Sequence, residues 1–216
     1  MNNQIRAQRT YEALVRAAAV IFEGHGYENA SLVEISTIAG YTRGALTYHF
    51  DSKADLAKAV VDAAAGQVRE GVDRSCEAAG ALEGLIGATR TVGGLLGESV
   101  TVRAAARLER DAPQPAWHAI WLHTVVPLLH RAAQEGDLLP HVDPDRLAVL
   151  LGTILRGWAT IAGAATTADV REGLAARDAL VWEILLPALL APEAVRRLHN
   201  DGWPDRPPVL DQVDHE

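Results

Sequence analysis

Apolar residues recur at helical spacing from near the start of the chain. Leu14, Ala17, Ala18, Ile21 and Phe22 mark one face of a helix over about 5–24. Gly24 and Gly26 stand where a left-handed residue closes a helix. Ser31-Leu-Val-Glu34 reads as a capping box that opens a second helix, with Ile35 and Ile38 facing inward. Gly40 ends that helix after about two turns. Thr42 caps a third short helix over 42–48. Ser52, with Asp55 three residues on, opens a fourth that runs through Leu56, Val60 and Val61 to about Asp73.

The same period continues downstream. Residues 81–97 read as a glycine-weakened helix and 99–110 as another. Asp111-Ala-Pro-Gln-Pro115 is a break, and 116–135 is an amphipathic helix in which Pro127 predicts a kink. Gly136 to Pro144 is a turn. Residues 145–163 carry a broad stripe that includes Leu147, Leu151, Leu155, Trp158 and Ile161. The last long helix, about 171–190, is apolar on more than one side. A helix apolar on two faces must bury both, so the second face points to a partner subunit. The tail from about 200 is proline-bearing and acidic, the composition of a disordered segment. No alternating β-branched run occurs, so the expected class is all-α.

Composition narrows the function. Hydrophobic residues make up 49% of the 216 and charged ones 22%, enough for a sizeable core. Cys76 stands alone, which rules out an intramolecular disulfide and any multi-cysteine zinc site. The most apolar stretch, 147–165, has Arg156 at its centre and is a poor membrane span. The polar start MNNQIRAQRT shows no signal core, so a cytoplasmic location is expected. Arg156 itself should pair with an acid across the subunit interface or sit at a pocket mouth. His118 and His123 are five apart, a poor chelating offset, so no metal is expected. There is no G-x-S-x-G, P-loop or G-x-G-x-x-G after a strand, so neither an enzyme nor a cofactor is expected. Net charge is −8, and the first 55 residues hold five Lys/Arg against six Asp/Glu. Bulk charge therefore gives no support for nucleic-acid binding, and that reading must rest on where individual charges sit.

The informative segment is 31–53, SLVEISTIAGYTRGALTYHFDSK. It describes two very short helices joined by a tight turn at Ala39-Gly40-Tyr41. The second has Leu46 and Phe50 facing inward and Thr42, Arg43, Gly44, Ala45, Thr47 and Tyr48 facing outward. Gly44 and Ala45 are small enough for close approach to another surface. This is helix-turn-helix geometry, whose second helix enters the DNA major groove. Lys53, in the first turn of the fourth helix, would add charge to a phosphate-binding helix start. Ser31 can donate to another phosphate. Arg6 and Arg9, on a frayed N-terminal arm, can reach the backbone or the minor groove. His49 either contacts phosphate or packs the third helix.

The stretch ISTIAGYTRGALTYHFDSK resembles the DNA-binding motif of TetR-family transcriptional regulators. The resemblance covers residues 5–55, about a quarter of the chain. Tyr48, His49 and Lys53 stand at the family's positions. There are three departures. Ser36 replaces an alanine, Tyr41 a small aliphatic at the turn, where it either alters the helix–helix angle or reaches DNA, and Thr47 a tyrosine that commonly contacts phosphate in the family. The resemblance implies a helix-turn-helix DNA-binding domain over 1–52, a helical ligand-binding and dimerisation domain over 53–199, and the tail 200–216. It implies a homodimeric repressor on a palindromic double-stranded DNA operator, released by a small-molecule effector, with no membrane partner.

Arg6-Ala7-Gln8-Arg9-Thr10, GYENASLVEI and a tryptophan after the mid-chain proline loop are similar to γ-butyrolactone autoregulator receptors, which take a lactone or furan signal controlling secondary metabolism. That likeness implies a ligand contact from Trp117 or Trp121. Leu108, Trp158 and Gln67, the last on the fourth helix, are further lining candidates, although Trp158 stands where the receptors tend to have smaller residues and its ring would shrink or reshape the pocket. The alternatives are a drug-sensing repressor of an efflux gene and, more remotely, a small-molecule-binding protein or enzyme without DNA binding.

Overall fold

The computed structural model describes residues 2–76, 80–111, 117–164 and 180–200. All regular elements among these are helices: α1 (Asn2–Asn29), α2 (Leu32–Ile38), α3 (Arg43–His49), α4 (Lys53–Cys76), α5 (Ala81–Glu98), α6 (Val100–Asp111), α7 (Trp117–Gln134), α8 (Pro144–Ala164), α9 (180–189) and α10 (Pro192–Asn200). None of them is long and apolar enough to cross a membrane. The break at 112–116, residues 171–179 of the last long helix and the tail beyond 200 fall outside the described residues. So do the side chains of Cys76, Trp117 and His118.

Local chemistry explains the breaks. Gly26 (φ 78°) interrupts α1, whereas Gly24 lies in ordinary helix, so only the second glycine has the expected role. A side chain at Gly26 would also meet Asp111 and Arg107 of α6. Gly40 (φ 74°) and Gly136 (φ 79°) turn the chain as anticipated. Ser31 does cap α2 in backbone conformation, but its hydroxyl makes no capping bond, so the reciprocal box with Glu34 is not formed. The Ser52–Asp55 pair does form: the Asp55 N–H donates to Ser52 Oγ (3.1 Å) and the hydroxyl to the carboxylate (2.7 Å). Pro127 lies inside a continuous α7.

α8 begins at Pro144, one residue inside the expected turn, and Asp143 caps it. The carboxylate accepts from the Asp145 and Arg146 N–H groups at 2.9 and 3.0 Å. The Arg146 N–H is the larger cause that holds the Asp143 carboxyl below its ordinary value. A depressed folded-state value means that the cap's contribution is present above the ordinary carboxylate range. It is lost as pH falls through the lower value. Asp143→Asn should therefore flatten the acid limb of a thermal-denaturation profile between about pH 5 and pH 2. An unchanged acid limb would assign that limb to other carboxylates.

α4 is the central post, with α1, α5, α6 and α7 packed around it. Leu56, Val60, Ala64, Val68 and Val72 of α4 are buried there. In the N-terminal lobe, Ile35, Leu46 and Phe50 close against Leu14, Ala18 and Phe22, and Tyr11 stacks on Phe50 at 5.1 Å. Ile38 does not join them. It ends a seven-residue helix and is 51% exposed.

The joint between α1 and α6 is polar. Arg103 pairs with Glu23 and donates to the Leu96 and Gly97 carbonyls at 3.2 and 2.9 Å. Arg107 donates to the Glu23 and Gly24 carbonyls. Two guanidiniums thus join the end of α5 to the end of α1's main segment, where carbonyls lack helical partners. At the far end, α10 is held through Arg197, which bonds Asp137 (2.7 Å) and Glu83 (3.0 Å).

Candidate nucleic-acid interface

The outer face of α3 follows from two inward anchors. Leu46 is fully buried and Phe50 is 5% exposed. That places Arg43, Gly44, Thr47 and Tyr48 on the solvent side, with Tyr48 81% exposed. Ala45 is half-buried on the flank that faces α1. Thr42 caps the helix by accepting from the Ala45 N–H (3.2 Å), which leaves its own hydroxyl proton available. Thr47 donates its hydroxyl to the Gly44 carbonyl (3.1 Å). Ser36, unusual at its position, is buried and satisfied by the Val33 carbonyl at 2.9 Å.

α1 supplies a second set of donors. Arg6 and Arg9 are exposed, but they belong to a regular helix and not to a frayed arm. Arg6 borders the same groove as Tyr48 and His49. His49 is half-buried, edge-on to Tyr48 (5.2 Å) and to Tyr11 (6.1 Å), so it packs α3 against α1 while it edges the groove. Ser31 is exposed, with its hydroxyl unengaged among the described residues.

Lys53 departs from the expectation of a phosphate contact. Its ammonium turns back to α1 and donates to the carbonyls of Tyr27 (2.8 Å), Glu28 (3.1 Å) and Ala30 (3.4 Å), while lying 4.6 Å from the Tyr27 ring centroid. An ammonium has three N–H donors, and all three find acceptors within the fold. Lys53 is therefore a strut between α4 and the broken end of α1. The break at Gly26 was the available signal, because it strips nearby carbonyls of helical partners.

Three of the remaining candidates lie in the helical core of the second lobe. Trp121 and Leu108 are fully buried and Trp158 is 6% exposed. Trp121 Nε1 is buried with no acceptor among the described residues. Trp182 is also deep, and its indole donates to Thr89 Oγ1 at 3.0 Å. Gln67 does not reach this core. It is exposed on α4 and accepts from the Ser99 hydroxyl at 2.6 Å. Arg156 pairs with Glu109 of the same chain (3.3 Å), at the edge of a cleft of about 360 Å³ between α6 and α8.

Comparison with known proteins matches this arrangement. Residues 14–60 fit the description "Bacterial regulatory proteins, tetR family". The A-factor receptor protein of Streptomyces griseus is 28% identical over 210 residues, covering 95% of this chain and 72% of the receptor. A crystal structure of a γ-butyrolactone receptor (ArpA-like protein) superposes with a TM-score of 0.74 at 26% identity, over 91% of this chain and 95% of the other. CprB from Streptomyces coelicolor, solved in complex with its biological operator sequence, gives 0.70 at 27% identity, over 90% and 95%. Residues 14–60 thus carry a DNA-binding domain of the tetR type with its donor face open, and the chain as a whole, through its helical second lobe, is similar to the A-factor and γ-butyrolactone receptors.

Proposed function

We propose that this repressor acts as a homodimer on a palindromic operator and is released when a small lactone- or furan-type effector enters the core of residues 53–199. The reading head is the lobe of residues 1–52. Thr42, Arg43, Gly44, Ala45, Thr47 and Tyr48 meet the major groove. Arg6, Arg9, Ser31 and His49 serve the flanking backbone. Dimerisation uses the exposed apolar stripes of α8 and α9. In a dimer the two α3 helices must lie about 34 Å apart, or a multiple of that, to read two half-sites.

The observation that carries the ligand half is the Trp121 indole. A fully buried N–H without an acceptor costs about 1–3 kcal/mol. A carbonyl or ring oxygen of a lactone or furan would satisfy it. Leu108 and Trp158 supply apolar surroundings, and Trp117 is the neighbouring candidate on α7. Movement in this core reaches the head by two routes, α4 and the arginine clasp of α6 on α1. An effector that binds the released form about 100-fold better supplies about 2.7 kcal/mol, enough to shift occupancy strongly.

The test is a gel-shift titration against DNA upstream of the protein's own gene, at fixed salt, with and without an organic extract of the producing culture. A shift abolished by the extract is the expected result. Trp121→Phe should keep the shift and need at least about 10-fold more extract to lose it, the worth of one hydrogen bond. An extract-insensitive wild-type shift would overturn the effector class. Equal sensitivity of the variant would overturn the role of Trp121.

A further inference from the structure

Two flanks of α3 have different characters. Arg43, Gly44 and Thr47 lie on one side, while Ala45, Tyr48 and His49 turn towards α1. Between that second flank and the first turns of α1 runs an open groove of about 350 Å³, bordered by Arg6, Thr10, Tyr41, Ala45, Tyr48 and His49. Among the described residues no carboxylate borders it, in a chain whose net charge is −8. Its polar groups are a guanidinium, two phenols, an imidazole and a hydroxyl, and that hydroxyl is turned inward: Thr10 donates to the Arg6 carbonyl at 3.0 Å.

Tyr41 is the distinctive member. Its backbone is fixed, because its N–H donates to the Ser36 carbonyl at 2.9 Å and so closes the turn after Gly40. Nothing in that role requires a phenol. The ring is 38% exposed, and its hydroxyl has no partner among the described residues. When a helix lies in the major groove, the base edges face its outermost residues and the sugar–phosphate strands face its flanks. Tyr41 stands on the flank, beside Arg6.

We propose that this groove seats one sugar–phosphate strand and that Tyr41 donates its phenolic hydroxyl to a phosphate oxygen there, next to the Arg6 guanidinium. The assignment rests on the DNA-binding reading above and names a contact that reading did not include. Thr47 cannot take the same place while its hydroxyl is directed to Gly44.

The experiment uses the full-length protein and fluorescence anisotropy over a salt series. Two duplexes serve as probes: the region upstream of the protein's own gene and a random sequence. Tyr41→Phe removes one oxygen and keeps the ring in the turn, and an unchanged melting temperature checks the fold. The expected result is a loss of roughly 10- to 100-fold on both duplexes alike, the size of one hydrogen bond to a charged acceptor. The salt slope should stay unchanged, because a neutral hydroxyl releases no counterion. Arg6→Gln should lower the magnitude of that slope by about 0.9 for each head that engages the DNA. Wild-type affinity in Tyr41→Phe would overturn the proposal. A loss confined to the upstream duplex would also overturn it, by making Tyr41 a base reader. Failure of the wild type to bind either duplex at low salt would instead overturn the DNA-binding reading itself, and this contact with it.

Discussion

The double variant Val149→Asp, Ile184→Asp is expected to be a monomer that has lost on the order of 100- to 10,000-fold of its affinity for a palindromic operator. The two residues are 70% and 65% exposed within one chain, and Leu150, Ile161 and Leu180 are further exposed apolar residues of the same two helices. We take these exposed large apolar side chains on α8 and α9 as the interaction surface of the proposed dimer. A carboxylate at the centre of such a surface would be buried without a partner, which costs several kcal/mol on each side of a two-fold interface. The penalty for DNA then follows from avidity. In a dimer the second head binds at the effective concentration set by the first, and a monomer forgoes that advantage. Each half-site contact stays intact, so random-sequence DNA should still be bound weakly. Sedimentation velocity measures the first expectation and anisotropy the second. A variant that remains dimeric would place the interface elsewhere.

That surface was partly legible from the sequence. A second apolar face on the last long helix points to a partner, and Leu180 and Ile184, four residues apart on that helix, are exposed. The recognition helix was legible for a simpler reason. In a seven-residue helix and its two cap residues, two large apolar side chains and a capping threonine leave one solution, so Leu46 and Phe50 fix which positions face outward. The same reasoning failed at Ile38, because periodicity says nothing about where a short helix outruns the surface it packs on.

The polar joints were harder to see. Lys53, Arg103 and Arg107 all bond backbone carbonyls, which every residue carries and no sequence marks. Gln67 was misplaced for a related reason: its helix was right, but its partner Ser99 sits at the α5–α6 corner. α10 went unread although its signals are present, with Pro192 and Glu193 in its first turn and Arg197 and His199 in its last.

Arg197→Ala is expected to lower stability by about 2–3 kcal/mol. The guanidinium holds two acids from distant parts of the chain. Asp137, with a 7% exposed side chain, lies at the α7–α8 turn, and Glu83 lies in the first turn of α5. Both raise the arginine's already high affinity for its proton, Asp137 more than Glu83. Removing the cation leaves the Asp137 carboxylate enclosed without its ion-pair partner. A fully buried pair broken this way costs about 3–5 kcal/mol, and the lower figure reflects an arginine side chain that is 44% exposed and partly screened by water. The loss would not stop at one bond. α10 is otherwise tied to the turn by the Ala191 N–H donating to the Asp137 carbonyl (2.8 Å), next to the Leu139 N–H bond to the Leu189 carbonyl (2.9 Å), so loosening Asp137 loosens the docking of α9 and α10 together. Chemical denaturation measures the change through the midpoint. Arg197→Ala, Asp137→Asn should recover part of it, because the second substitution removes the buried charge that the first left alone. No recovery would mean that the arginine acts through packing of its aliphatic stem and not through the ion pair.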